Sequence, residues 1–165
     1  VICNFENFCF HYLIINHMSI QKCHTFNQTP TKRFLIDALR NTSTRLESED
    51  VQYQWGHMGQ CNAGHLIQTI TGMSSFEIVE SIDFQLDEWS EHAVDYCSCT
   101  GNKVDDIFLA IEKKGLTHSD IVKLENLSDR KILENLSGGF RHLQRNRRED
   151  VIEYMRSFAD LLESS

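Results

Sequence analysis

The stretch TKRFLIDALRNTSTRLE, residues 31–47, decides the fold class. Its apolar residues recur every three or four positions, which is the period of an α-helix with one buried face. Thr29 can cap such a helix, and Pro30 suits its first turn because the N–H that proline lacks has no helical partner there. We therefore predict an amphipathic helix over about 31–47. Its buried side should contain Phe34, Leu35, Ala38, Leu39 and Leu46, and its outer side Lys32, Arg33, Arg40 and Arg45.

The same period recurs outward along the chain. NAGHLIQTITG predicts a helix that Gly72 ends, and SSFEIVESI predicts another that begins after Ser74 or Ser75. Further helices are expected over LDEWSEHAVDYC, over residues 102–114 and over about 147–163.

A short internal repeat lies between residues 119 and 136. SDIVKLENL and SDRKILENL agree at Ser, Asp and the last four positions, which predicts two short helices capped by Thr117 and Ser128. No stretch shows the sustained alternation of apolar and polar residues that is typical of a strand. The best strand candidates are QYQW and FEIVESIDF, and each is short or better explained as helix. The sequence therefore predicts an all-α fold, a compact bundle of six to eight helices with short loops.

The length of 165 residues suits one domain. Residues 1–17 contain no Met, Gly, Ala, Lys or Arg, and they have neither the basic start of a secretory signal nor a membrane-spanning apolar run. We expect 1–17 to be a non-native N-terminal extension and 18–165 to be a single all-helical domain. Without a signal or a span, we expect a cytoplasmic protein.

The net charge of −8 gives no general reason to bind a phosphate backbone, so nucleic acid is not an expected partner, and neither is a membrane. A local basic stretch, residues 141–148, is followed at once by acidic residues. It is most simply a solvated helix start. The basic side chains are Arg141, Arg145, Arg147 and Arg148.

The segment WGHMGQCNAGH, residues 55–65, concentrates reactive side chains. Thiols stay reduced in the cytoplasm, so a metal explains this pattern better than disulfides. Cys61 and His65 are four residues apart, which places them on one helix face. The prediction is a Cys3His zinc site, zinc being the expected cofactor. Its ligands would be Cys61, His65, Cys97 and Cys99, with His57 or His92 as substitutes.

A thiol nucleophile is the second interpretation. Amides at a helix start lower the pKa of a cysteine, and the segment is similar to the Gly-x-Cys that opens the nucleophile helix of papain-like and transglutaminase-like folds. The resemblance implies that Cys61 attacks, that His92 is the base, and that Asp95 or Gln54 orients the base or stabilises the oxyanion. Those folds place their histidine on a β-sheet, which this sequence does not predict.

Packing is the third interpretation. Free cysteines are often small buried hydrophobes, and this suits Cys61 and Cys97. Trp55 and Trp89 could line a small-molecule pocket, but a helical core needs their volume.

The runs YQWGHMGQCNAGHLIQTITG, WSEHAVDYC and RNRREDVIEYMRSFADLLE together resemble a family of uncharacterised bacterial proteins, over most of the chain from Thr31 onward. A second cysteine often stands in that family where this chain has Ala63. The resemblance implies a bacterial cytoplasmic protein and no particular activity.

Three functions therefore stay open from the sequence. The first is a zinc-binding protein with a Cys/His centre, and the second is a hydrolase or acyl transferase that uses Cys61. The third is a helical interaction module in which the repeat and residues 141–148 bind a protein. The partner is an unknown small molecule or protein.

Overall fold

The computed structural model describes residues 30–81 and 111–165, and in these residues it has six helices of five residues or more and no strand. The predicted all-α fold is therefore confirmed for these residues. QYQW lies in a loop, and the described part of FEIVESIDF is helical. The helices are α1 (Pro30–Leu46), α2 (Asn62–Thr71), α3 (Ser75–Ser81), α4 (His118–Asn126), α5 (Arg130–Glu134) and α6 (Arg148–Ser164).

The longest helices, α1 and α6, pack against each other in antiparallel orientation. Lys32 near the start of α1 donates to the Ser165 carbonyl just past the end of α6, at 3.1 Å. Glu47, just past the end of α1, pairs with Arg156 in the middle of α6 at 2.6 Å. These contacts run in opposite order along the two helices.

The core lies between this pair and the shorter helices, and each of the six helices apart from α3 contributes several buried side chains. Ile78 is the fully buried residue of α3. The predicted inner face of α1 is confirmed except at Phe34, which is only partly buried. The largest fully buried side chains include Leu39, Leu46, Leu66, Ile67, Ile111, Ile121 and Tyr154.

Helix ends follow the local signals in the sequence. Gly72 ends α2 with a left-handed φ of 77°, which favours glycine. Ser74 and Glu77 exchange side-chain and backbone hydrogen bonds at the start of α3, and Thr117 and Asp120 do the same at the start of α4. Both arrangements are capping boxes, which satisfy backbone donors that have no partner within the helix.

The expected cap of the second repeat helix is wrong by one residue. Asp129, and not Ser128, caps α5, because its carboxylate accepts from the Lys131 N–H at 2.9 Å and also pairs with Lys123 at 2.8 Å. The first repeat uses its matching residue, Asp120, inside the capping box. The matching aspartates of the two repeats therefore play different parts: Asp120 is the third residue of its helix and Asp129 is the N-cap of the next. The identity of the repeat sequences does not reveal this difference.

Two connections are longer than the short loops predicted from the sequence. Loop A is residues 47–61 and loop B is residues 135–147. They lie close together, because Arg148 at the start of α6 donates to the Ser48 and Val51 carbonyls of loop A at 3.0 and 2.7 Å. Long ordered loops on a rigid helical scaffold are frequent places of function.

Several predictions lie outside the described residues. They concern the N-terminal extension 1–17, the helix over LDEWSEHAVDYC and most of the helix over 102–114, of which Ile111 and Glu112 are described and helical. Within 30–81 and 111–165, no helix is both long enough and apolar enough to cross a bilayer.

Candidate functional site

Cys61 is the N-cap of α2. Its Sγ accepts from the Gly64 N–H at 3.4 Å and donates to the Met58 carbonyl at 3.4 Å, and the residue is 1% exposed. A thiol in this position replaces the serine or aspartate that usually begins a helix. Its first role is therefore structural, at the junction of loop A and α2.

The glycines of this segment allow two close backbone approaches. A Cβ on Gly64 would lie 2.1 Å from the Met58 carbonyl oxygen, and one on Gly59 would lie 2.3 Å from the Ser75 carbonyl oxygen. Any larger residue would collide with backbone, which cannot rotate away as a side chain can. Loop A therefore crosses directly over the start of α2 and against the start of α3.

His65 is 2% exposed, and both of its ring nitrogens are engaged. Nε2 lies 3.0 Å from the Gln52 carbonyl, which can only accept, so Nε2 carries the proton. Nδ1 lies 3.3 Å from Arg45, which donates to it. Burial first, and then the Arg45 charge, lower the pKa of His65 from 6.5 to about 4. The ring is therefore neutral at pH 7.

Arg45 was expected on the outer side of α1, and this expectation is wrong. Its guanidinium turns toward α2, where it donates to the His65 carbonyl at 2.8 Å and to the Gln68 side chain at 3.1 Å. The long aliphatic stem lets the charged end reach these acceptors while the helix keeps its amphipathic pattern.

The depressed pKa of His65 predicts a pH-dependent stability. The unfolded chain binds a proton near pH 6.5 and the folded chain only near pH 4, so this contribution is complete above pH 6.5 and is lost as the pH falls. We expect about 2 kcal/mol less stability at pH 5 than at pH 7.5 from this group. The measurement is urea unfolding at both pH values, in the wild type and in His65→Gln, which cannot titrate. Equal pH dependence in the two proteins would contradict the assignment.

Asn62 joins four parts of the chain and is fully buried. Its Nδ2 donates to the Glu125 carbonyl of α4 at 2.8 Å and lies 3.3 Å from the Arg145 carbonyl of loop B. The Tyr53 hydroxyl of loop A lies 2.7 Å from Asn62 Oδ1 and 2.6 Å from the same Arg145 carbonyl, so its one proton is shared between these acceptors. Burial raises the pKa of Tyr53, which keeps the hydroxyl protonated.

Glu125 completes the cap of α2. Its carboxylate accepts from the Ala63 N–H at 3.0 Å, and the residue is 5% exposed. A negative charge is favourable at the positive end of a helix dipole. The start of α2 is therefore fixed from loop A by Cys61 and from α4 by Glu125.

Arg145 is held on three sides at the surface of loop B. Its carbonyl receives the bonds from Tyr53 and Asn62, and its Nη1 donates to Asn126 Oδ1 at 2.6 Å. Its guanidinium carbon lies 4.0 Å from the ring centroid of Trp55, a cation–π contact. Trp55 is only partly buried, so it is not the closed core residue that the sequence suggested.

The other arginines of the basic stretch are used within the fold. Arg141 pairs with Glu153, Arg147 lies 4.0 Å from Asp150, and Arg148 binds loop A. Arg147 and Arg148 lie at the start of α6, as the predicted helix start requires, whereas Arg141 and Arg145 lie in loop B.

The predicted zinc ligands fall partly outside the described residues, since Cys97, Cys99 and the substitute His92 lie in 82–110. Within 30–81 and 111–165, no group of three or more His, Cys, Asp or Glu side chains could hold a metal ion. Cys61 and His65 do not fit a ligand pair as they stand, because both His65 nitrogens already have protein partners. His57 lies in loop A, and its buried Nδ1 has no hydrogen-bond partner in this part of the chain.

The predicted catalytic pair cannot be placed together, because His92 and Asp95 lie outside the described residues. Gln54 is exposed in loop A, while the Cys61 thiol is buried. The zinc site and the nucleophile both stay predictions.

Sequence reasoning missed Tyr53, Asn62 and Glu125, and it did not separate Arg145 from its neighbours. The pattern of QYQW makes it a strand candidate, although a Tyr and a Trp close to three glycines also indicate an ordered loop. Nothing near Glu125 marked it as a cap for a helix about sixty residues earlier.

Comparison of the chain with protein-family models, curated proteins and solved structures gave no match. The resemblance to bacterial proteins therefore stays a prediction.

Proposed function

We propose that this protein is a helical interaction module that binds another protein through the surface around Trp55 and Arg145, which we call the Trp55–Arg145 surface. The observation that carries the proposal is the rigid support of Arg145. Its main chain and its side chain are each fixed by separate elements, while the residue itself is exposed.

This support favours binding for a physical reason. Association costs free energy for each long side chain that must be ordered, and Arg145 is already ordered by Trp55 and Asn126. Trp and Arg are also the residue types that most often dominate the energetics of protein interfaces. A partly exposed Trp under a fixed Arg therefore suits the centre of an interface.

Enzymatic and metal-dependent functions draw less support from the same residues. The thiol of Cys61 and the ring of His65 are enclosed, and their polar atoms have partners within the fold. In this interpretation Cys61 and His65 hold loop A in place and so support the Trp55–Arg145 surface, and they contribute no reacting group.

The test is selection of a random-peptide library, displayed on phage, against the full chain. We expect enriched peptides whose affinity falls about tenfold or more for Trp55→Ala, as is usual at an interface hot spot. Phe76→Ala is the matched control, because Phe76 is also an exposed aromatic residue, with 67% exposure, on a different element. Calorimetric titration gives the affinities, and thermal melts check that both variants fold. Peptides that bind Trp55→Ala as tightly as the wild type would contradict the proposal.

A further inference from the structure

Arg145 differs from most arginines of the chain in its charge environment. Arg33, Arg40, Arg130, Arg141, Arg147 and Arg156 each have a carboxylate oxygen within 4.0 Å. Among the described residues, no such partner lies near Arg45, Arg145 or Arg148. Arg45 and Arg148 direct their guanidinium groups to carbonyl oxygens within the fold.

The Arg145 guanidinium has N–H donors that no acceptor among the described residues uses. A guanidinium carries five N–H donors, and the described residues accept only from Nη1, through Asn126. One face of the group is covered by Trp55, so the remaining donors lie along its edge. The edge of a guanidinium matches the two oxygens of a carboxylate, which it binds through a pair of parallel hydrogen bonds.

We infer that the Trp55–Arg145 surface recognises a peptide segment of the partner protein in which a carboxylate side chain stands next to an apolar residue. This inference rests on the proposed function and names the chemistry of its partner. The carboxylate binds the edge of Arg145, and the apolar neighbour packs on the uncovered part of the Trp55 ring.

The overall charge limits the size of the anionic partner. At −8 the protein repels an extended polyanion, so a nucleic-acid strand gains little from one exposed arginine. A single carboxylate in a short segment pairs with Arg145 without placing further negative charge against the rest of the molecule. Charge complementarity therefore favours a locally acidic peptide.

The sequences of the enriched peptides and two variants test this inference. We expect the peptides to share an Asp or Glu beside an apolar residue, and replacement of that acid by its amide to weaken binding about tenfold or more. Arg145→Lys should weaken binding nearly as much as Arg145→Ala, because lysine keeps the charge but not the planar edge. Arg33→Ala is the matched control, since Arg33 is exposed and already pairs with Asp37.

The outcomes separate the inference from the proposed function. Two results would overturn the inference but not the proposed function. In the first, the peptides lose affinity for Trp55→Ala but carry no acidic residue. In the second, they lose affinity for Trp55→Ala but bind Arg145→Ala as tightly as the wild type. The absence of any enriched peptide, or enriched peptides insensitive to both Trp55 and Arg145, overturns both. Arg145-dependent binding of a single-stranded oligonucleotide tighter than that of the peptides would also overturn the inference.

Discussion

Asn62→Asp should destabilise the protein by about 4 kcal/mol, because it replaces a buried donor by a buried negative charge. The Asn62 amide donates to the Glu125 carbonyl at 2.8 Å and lies within reach of the Arg145 carbonyl. An aspartate would present oxygen to both of these oxygens. It would also lie near the Glu125 carboxylate that caps Ala63, the next residue along α2. The effect should appear in urea unfolding followed by circular dichroism at pH 7.5.

The control for this change is Asn41→Asp, the same replacement at an exposed position of α1. It should alter stability by no more than about 0.5 kcal/mol. Asn62→Ala should fall between the two variants, because it removes the donor without adding charge. A loss below about 1 kcal/mol for Asn62→Asp would mean that the junction of loop A, α2, α4 and loop B does not depend on this amide.

Gly64→Ala should cost about 3 kcal/mol, through a collision of backbone with the new methyl group. The added Cβ would lie 2.1 Å from the Met58 carbonyl oxygen, so loop A must move away from α2. That movement also lengthens the bond from the Gly64 N–H to the Cys61 thiol. Unfolding by urea gives the loss in stability. The reactivity of the Cys61 thiol with a coloured reagent should rise in the variant, because the loop that covers it is displaced.

Gly138→Ala separates this collision from the general cost of replacing glycine. Gly138 has a left-handed φ of 91° and no atom within 4 Å of an added Cβ. Its replacement should therefore cost only about 1 kcal/mol, the strain of a side chain in that conformation. Similar losses at Gly64 and Gly138 would rule out the backbone crossing as the reason for glycine at position 64.

The helices could be predicted from the sequence because their signals are local. The apolar period of residues 31–47 and 147–163, the glycine at 72 and the cap at Thr117 each act within a few residues, and each is confirmed within one residue or so. The cap of α5 was misassigned because Ser128 and Asp129 both suit a helix start. The second residue is favoured by tertiary contacts, because its carboxylate pairs with Lys123 of the preceding helix and its N–H donates to the Tyr154 hydroxyl of α6.

The site could be predicted only in part. The cysteine and histidine of WGHMGQCNAGH suggest chemistry, whereas in the described structure they form a helix cap and a buried hydrogen-bonding ring. The contacts of the neighbouring Asn62, which hold the start of α2 against α4 and loop B, run to the Glu125 and Arg145 carbonyls, 63 and 83 residues further along the chain. No local pattern predicts these tertiary contacts, and the inward turn of Arg45 likewise depends on tertiary contacts, with His65 and Gln68 of α2.

The antiparallel pairing of α1 with α6 has a consequence for synthesis of the chain. The two helices meet through contacts between residues 109 to 133 positions apart. At the usual pace of translation this separation corresponds to on the order of ten seconds. During that interval the apolar face of α1 has left the ribosome without α6, the helix that covers most of it, so this face is open to non-native contacts. Slowing translation between the two helices should therefore increase aggregation of the newly made protein, whereas slowing it after α6 should not.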